Sequence, residues 1–420
     1  MAIPKKKSFK FMKVSHINYS DNIGGASKAA KRICEALTYD EIDAKMIVAK
    51  KILNDKETIQ ITSKSHKLYS SVIRKLESYL VDNFFNLKES SLSIHPSYIA
   101  KSINSINSDI FHFHWINAGF LSIIDIAKID KPKVWTLHDM WPFCATEHYA
   151  QSSNWKHGYS DFDANFLEKK LNQFVWNKKN KLWKKPFEIV APSNWMANCA
   201  NDSLLFNSWP ITVIKNPIDT EKWFPSDKNI ARKSLGLPLN TSLILFGSAQ
   251  GTNDPRKGYE YLKIALKYLK QDNINFELVV FGNSEPLNDT SIREFKVYDM
   301  GRISDDESLR SIYQSCDVFV LPSLQDNLPN TCVEAISCGT PVCAFNSGGV
   351  EDIVINKKTG YLAKKIDSHD LANGINWILS TGDNKKLALD CRNHAVKNFS
   401  YPIISKKYKD IYERLIADSQ

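Results

Sequence analysis

The stretch "DVFVLPSLQDNLPNTCVEAISCGTPVCAFNS", residues 317–347, carries an apolar run, a loop, a helix and a second apolar run. Neither apolar run alternates with polar residues, which predicts strands covered on both faces, as in a parallel sheet. The loop between them holds Asp326, two asparagines and Pro329, and leads into a helix predicted over about 329–338 with Glu334 one turn inside. Strand, helix, strand is the unit of an α/β domain, and such domains bind ligands at the carboxyl ends of their strands. Carboxylates accept hydrogen bonds from vicinal hydroxyls, while the first amides of a helix favour anions. A ligand with sugar hydroxyls and a phosphate uses both. The plainer alternative makes Asp326 or Asn330 a helix cap and Glu334 a first-turn acid favoured by the helix dipole.

The pattern repeats outward from this stretch. Apolar runs at 242–248 and 275–282 alternate with helices predicted over 258–271, 305–315, 367–380 and 383–397. In the first half, runs at 9–17, 109–115, 133–139 and 187–193 alternate with helical stretches such as 24–38. A Pro-, Asp- and Lys-containing connector at 211–228 interrupts the series. The reading is α/β with two doubly wound domains, 1–215 and 216–399. Residues 51–100 are weakly patterned. Within them Tyr69, Val72, Ile73, Leu76 and Leu80 recur at helical spacing, a stripe that reads as core.

With 420 residues and 43% hydrophobic content, the chain has material for more than one core. It contains no apolar run of transmembrane length, and its lysine-rich start passes directly into a strand, so a cytoplasmic location is expected. Eight scattered cysteines without a C-x-x-C pair read as reduced, mostly buried thiols. The net charge of +9 lies wholly in residues 1–210, which hold 29 Lys and Arg against 20 Asp and Glu. No nucleic-acid motif accompanies that excess, so no nucleic-acid partner is expected. An anionic membrane surface fits it better, with the protein peripheral on the inner face of the plasma membrane. Residues 165–187 interleave Phe166, Leu171, Phe174, Val175, Trp176, Leu182 and Trp183 with lysines. They read either as an interfacial segment or as a basic helix docked by its aromatic side.

Two further loops carry candidates. Gly24 and Gly25 follow the first predicted strand and open a helix, where backbone amides can approach an anion or simply form a tight turn. Arg256 and Lys257 precede Gly258 and a helix, two cations suited to a diphosphate. His112 and His114 share one face of a strand and, with His138, form a conceivable metal set. Asp161 and Asp163 have the D-x-D spacing by which another fold holds a divalent ion, a short coincidence that the surrounding pattern argues against.

Taken together, "DPRKGYEYL", the 316–354 run, "TGYLA", "APSNW" and "VIKNPID" resemble the family 4 glycosyltransferases. With "TLHDMWPF", they are similar to the bacterial branch that builds exopolysaccharide and O-antigen. The resemblance implies a GT-B fold, two facing Rossmann-like domains with a cleft between them, the tail 400–420 packing back on the first. It implies transfer of a sugar, with retention, from a nucleoside-diphosphate donor to a hydroxyl of a saccharide or lipid-linked saccharide acceptor, with no cofactor and no metal. By resemblance, Lys257 with Arg256 binds the diphosphate and Glu334 the ribose. Asp326 stands where the family's E-x7-E motif has its first glutamate. Asn327, Leu328, Asn330 and Thr331 bring amides to sugar and phosphate, Gly24 and Gly25 face the diphosphate, and His138 contacts the transferred sugar. Arg302 and Ile303 hold the base by main chain. A nucleotide-sugar epimerase, a phosphorylase or a non-catalytic saccharide-binding assembly partner stands as the alternative.

Overall fold

In the computed structural model, residues 12–80, 90–160, 166–248, 251–285, 287–381 and 384–419 are described. Asp161 and Asp163 lie outside them. The chain divides into two compact units: Met1–Val190, Cys199–Thr212 and Ser405–Gln420 in one, Ala191–Asn198 and Val213–Ile404 in the other.

The first unit is built on a seven-stranded sheet. Its strands are β1 (Lys13–Ser20), β2 (Asp43–Lys50), β3 (Thr58–Gln60), β4 (Ile110–Phe113), β5 (Lys133–Thr136), β6 (Glu188–Ala191) and β7 (Ile211–Val213), in the order β3-β2-β1-β4-β5-β6-β7. The registered pairs are parallel, with His16 opposite His112 across β1 and β4. The second unit repeats the plan with six strands: β8 (Ser242–Gly247), β9 (Phe276–Phe281), β10 (Val297–Asp299), β11 (Val318–Leu321), β12 (Val342–Phe345) and β13 (Gly360–Ala363). Their order is β10-β9-β8-β11-β12-β13, again parallel.

Both orders are those of a doubly wound fold, and both reverse direction between the first and fourth strands. The switch points therefore fall between β1 and β4 and between β8 and β11. β8 and β11 are buried on both faces because two clusters sandwich their sheet. One gathers Leu243, Leu245, Phe319, Leu321, Val333 and Ile336; the other gathers Ile244, Phe246, Val318, Val320, Leu262 and Leu266. This is why residues 317–321 and 341–345 read as unbroken apolar runs.

Several strands escape the sequence reading. β2, eight residues long, is absent from it, β3 lies in the weakly patterned segment 51–100, β7 lies inside the presumed connector, and β10 and β13 are only three and four residues long. The stripe read as core at 66–80 is corrected. Helix Lys64–Leu80 leaves Leu68, Val72, Leu76 and Tyr79 exposed, while Tyr69 and Ile73 are only half-buried. The segment at 165–187 is a docked helix, Phe166–Leu182, that buries Val175 and Trp176, with Trp183 and Phe187 buried just beyond it.

The C-terminal helix Tyr401–Ala417 carries Tyr408 and Tyr412, both buried, into the first unit. Tyr412 Oη lies 2.7 Å from His112 Nδ1, and Tyr408 Oη lies 3.0 Å from Thr136 Oγ1. Arg414 adds an ion pair to the buried Glu188 of β6 at 2.8 Å.

Candidate active site

The loops leaving β8 and β11 flank the switch point of the second unit, and there the charged candidates meet. After β8 the chain turns through a short 3-10 segment, Pro255–Lys257, capped by Asp254, whose carboxylate accepts from the Arg256 amide at 2.9 Å. Gly258 follows at φ +71°, and a Cβ there would lie 1.9 Å from the Pro322 carbonyl. Only glycine lets this turn close against the β11 exit. That closeness brings Lys257 Nζ to 2.5 Å from Asp326 Oδ2. Arg256 donates to the Gln325 carbonyl at 2.9 Å, pairs with Asp254 at 3.2 Å and lies 3.6 Å from Asp326 Oδ1. The two cations read from sequence as a bare pair are thus already joined to acids.

Asp326 is buried. Burial pushes its carboxyl upward, yet the Lys257 and Arg256 charges outweigh burial and hold it below the usual carboxylate range. It caps no helix: the N-cap of helix Asn330–Ser337 is Pro329, without a side-chain bond. The capping alternative for Asp326 and Asn330 therefore fails. Glu334, one turn inside that helix, is buried and accepts from Tyr313 Oη at 3.1 Å. Burial, then the Glu334 charge, drive the Tyr313 hydroxyl well above its ordinary range, so it stays a donor.

The loop is clamped from its other side. Gly348, at φ +60°, and Gly349 let the following turn press on it: a Cβ on either would sit 1.9 Å from the carbonyl of Asp326 or Asn327. The Gly349 amide donates to the Asp326 carbonyl at 2.9 Å. Ser193 Oγ donates to Asn327 Oδ1 at 2.8 Å, the Asn194 amide donates to Asp352 at 2.8 Å, and Lys215 donates to the Asp352 carbonyl at 2.8 Å. The separate motifs "APSNW", "VIKNPID" and "GGVED" are thus one structural assembly around residues 325–327. Leu328 is a core residue, so only its main chain is available to a ligand; Asn330 and Thr331 are half-buried on the first helical turn. Arg302 is exposed and Ile303 half-buried in the loop after β10. A separate pocket lined by Lys228, Ser242, Asp317 and Gly339 opens at the amino ends of the strands, away from these loops.

In the first unit, Gly24 and Gly25 are exposed at the start of helix Gly24–Tyr39, with Gly24 at φ +78° and open space where a Cβ would stand. Ser20 Oγ accepts the Asn22 and Ile23 amides just before it, at 3.1 Å each. His138 lies two residues beyond β5, half-buried. Beside it Asp139 accepts from Trp115 Nε1 at 3.0 Å and lies 2.5 Å from His148 Nδ1. Lys179, fully buried, donates to the carbonyls of Trp141, Cys144 and Ala145 and lies 3.7 Å from the Trp141 ring centroid. It ties down the "HDMWPFC" loop, although burial lowers its pKa to about 7. Sequence reading missed Lys179, which looked like one more surface lysine, and missed His16, whose partners lie on another strand.

The conceivable metal set changes membership. His16, His112 and His114, not His138, place ligand atoms within 4.8 Å of one another. Each of their short contacts, however, is a hydrogen bond: His16 Nδ1 to His114 Nε2 at 2.9 Å, and His112 to Tyr412 and Thr136 at 2.7 Å each.

Comparison with known proteins bears on this geometry. The model of the Glycosyltransferase Family 4 group matches residues 23–222, and that of the Glycosyl transferases group 1 matches 227–398. The chain belongs to the family 4 glycosyltransferases. Among family relatives, it is 29% identical over 222 residues to a UDP-Gal:alpha-D-GlcNAc-diphosphoundecaprenol alpha-1,3-galactosyltransferase of Escherichia coli, covering 50% of this chain and 55% of that one. It is 26% identical over 221 residues to an N,N'-diacetylbacillosaminyl-diphospho-undecaprenol alpha-1,3-N-acetylgalactosaminyltransferase of Campylobacter jejuni, covering 50% and 55%. The chain thus spans about half the length of the curated relatives it matches. Among solved structures, a Rickettsia africae glycosyltransferase superposes with a TM-score of 0.68 at 18% identity, over 97% of this chain and 99% of that one. Anabaena HepE in complex with UDP-glucose gives 0.63 at 17%, over 96% and 100%. At such identities the likeness establishes the fold, which is GT-B.

Proposed function

We propose that this family 4 protein transfers a sugar, with retention, from a nucleoside-diphosphate donor to a hydroxyl of a lipid-linked saccharide in bacterial surface polysaccharide synthesis. The observation that carries the reading is the Lys257–Asp326 pair, with Glu334 beyond it, at the carboxyl ends of β8 and β11 on either side of the switch point. A relative named for an undecaprenol-linked acceptor and a fold neighbour crystallised with UDP-glucose support the choice of partners.

In this reading Lys257 and Arg256 neutralise the departing diphosphate, and the amides of Asn327, Leu328, Asn330 and Thr331 assist at the helix start. Glu334 accepts from the ribose hydroxyls while Tyr313 holds its other side. Asp326 is ionised and already oriented by Lys257, so it receives a sugar hydroxyl without reorganising. Its side chain is one methylene shorter than the family's glutamate, and the Lys257 contact sets how far it reaches. Arg302 and Ile303 hold the base by main chain. Within the first unit, Gly24 and Gly25 are read as facing a phosphate and His138 as contacting a sugar. The departing phosphate takes the acceptor's proton, and the scheme needs no metal or cofactor.

Lipid-linked acceptors lie at a membrane, and the exposed apolar stripe of helix Lys64–Leu80, flanked by Lys64, Lys67, Arg74 and Lys75, is assigned to an anionic bilayer on its cytoplasmic face. The decisive experiment is transfer from a panel of nucleoside-diphosphate sugars to lipid-linked acceptors with chelator present. Lys257→Ala and Glu334→Ala are each expected to lower turnover about a hundredfold while leaving the fold intact. Near-normal transfer by both would remove the site assignment, and a product formed without acceptor would point to an epimerase.

A further inference from the structure

Across the switch point of the first sheet, three imidazoles form a chain through neighbouring strands. His16 stands on β1, His114 one residue past β4 and His138 two past β5. His16 Nδ1 lies 2.9 Å from His114 Nε2, and His114 Nδ1 lies 2.9 Å from His138 Nε2. The ring planes of His16 and His114 lie 19° apart and those of His114 and His138 29° apart, each pair with centroids 5.2 Å apart, so the rings meet edge to edge, as an N–H···N bond needs. Burial lowers all three, His16 to about 3, His138 to about 4 and His114 well below the usual imidazole range, and they are neutral at pH 7.

A neutral imidazole carries one proton, so the chain has only two consistent directions. In the first, His138 donates to His114 and His114 to His16, which leaves an N–H on His16 Nε2. That atom is buried without a partner. In the second, His16 donates to His114 and His114 to His138. The buried Nε2 of His16 is then a bare lone pair, and His138 carries its proton on Nδ1. An orphaned buried N–H is the costlier of the two, and such groups are rare. We propose that His16 and His114 are positioning residues that hold His138 as the Nδ1–H tautomer, so that it meets the sugar as a hydrogen-bond donor.

The proposal rests on the glycosyltransferase reading and deepens it. With its Nε2 lone pair committed to His114 and its Nδ1 protonated, His138 has no free lone pair and cannot act as a base. That leaves the acceptor's proton to the departing phosphate. His112 stands outside the chain, both its nitrogens bonded to hydroxyls of Tyr412 and Thr136. These bonds account for every nitrogen of His112 and His114, and a metal ion would have to break them.

The test is long-range proton–nitrogen NMR on the full chain with 15N-histidine, His138 being assigned by its loss in His138→Asn. The wild type is expected to show His138 protonated on Nδ1. His114→Phe removes the donor and is expected to give a mixture or the Nε2–H form. In His114→Asn, the amide nitrogen stands where Nδ1 stood and keeps the original tautomer. Turnover should follow, with kcat about tenfold lower in His114→Phe, donor KM within about twofold, and His114→Asn within about threefold of wild type. If His114→Phe does not fold, His16→Phe, which removes the first link, gives the same readout. His138 protonated on Nε2, or stoichiometric metal in the purified protein, overturns the proposal. Transfer activity alongside an Nε2–H His138 would leave the glycosyltransferase reading standing. An Nδ1–H His138 without transfer from any donor would uphold the tautomer and remove that reading instead.

Discussion

At the carboxyl ends of β8 and β11 the candidate groups are charges in contact; beside β1, β4 and β5 of the first sheet they are a row of neutral imidazoles. Lys257, Arg256 and Asp326 satisfy one another within two adjacent loops, and Asp326 stays ionised despite its burial. His16, His112, His114 and His138 stay neutral because burial forbids their charge. The two halves share a topology, yet one organises its site by electrostatics and the other by proton placement. Each can be disturbed without the other.

Acid separates them most strongly. A histidine whose folded pKa lies below its unfolded value of about 6.5 contributes full stability above that pH and loses it as the pH falls toward the folded value. Each such histidine then costs the folded state about 1.4 kcal/mol per pH unit. Asp326 has a depressed pKa of the opposite kind, and its contribution persists until the pH drops below the unfolded carboxyl value of about 3.9. Between pH 6.5 and 5 the first unit should therefore weaken by several such increments. The second unit, where the half-buried His394 is lowered to about 4, should weaken by little more than one. Hydrogen exchange on peptides from β4 and β11 at pH 7.5, 6 and 5 reads the two units separately. Equal losses in both would show that the imidazoles are not what distinguishes them.

Legibility differed in the same way. The stretch at 317–347 announced its fold because both strands are buried on two faces, and its two candidate acids were easy to pick out because Asp326 and Glu334 lie close in sequence. Lys257 was readable because a proline, two cations and a glycine mark one turn. Nothing local marks His16, whose partner His114 lies just past β4 and is itself bonded to His138 just past β5; that chain becomes visible only once β1, β4 and β5 are known to be neighbours. The stripe at 66–80 misled because helical periodicity locates an apolar face without saying what covers it.

A smaller effect tests how tightly each site is built. Gly349→Ala would place a Cβ 1.9 Å from the Asn327 carbonyl and 2.4 Å from Ser193 Cβ, with backbone on one side that cannot rotate away. It is expected to destabilise by about 2 kcal/mol and to displace the Asp326 loop. Gly24→Ala meets nothing within 4 Å and costs only the strain of a positive φ, about 1 kcal/mol. Chemical denaturation of both variants checks the ordering. If Gly24→Ala were the more damaging, the open first turn would have to be more constrained than its surroundings indicate.

The smallest stability effect comes from two amphipathic helices of the first unit, and here the readout is binding. Helix Phe166–Leu182 exposes Phe166 and Phe174, but Lys170 and Lys178 lie over those rings at 5.6 and 5.7 Å. Its inner face is spent on Val175 and Trp176. Helix Lys64–Leu80 instead presents Leu68, Val72, Leu76 and Tyr79 at 70%, 56%, 47% and 59% exposure, one stripe at helical spacing with basic residues beside it. Apolar side chains in that position gain free energy only where a surface accepts them, and the neighbouring cations favour an anionic one. Leu68→Gln with Leu76→Gln should leave folding stability within about 0.5 kcal/mol, since neither residue is buried. The same pair should weaken binding to phosphatidylglycerol vesicles about tenfold in sedimentation. Phe166→Gln with Phe174→Gln should leave binding within about twofold, because those rings already have a cover. If the second pair abolished sedimentation and the first did not, the membrane-facing element would be the helix at 166–182 and not the exposed Leu68, Val72 and Leu76.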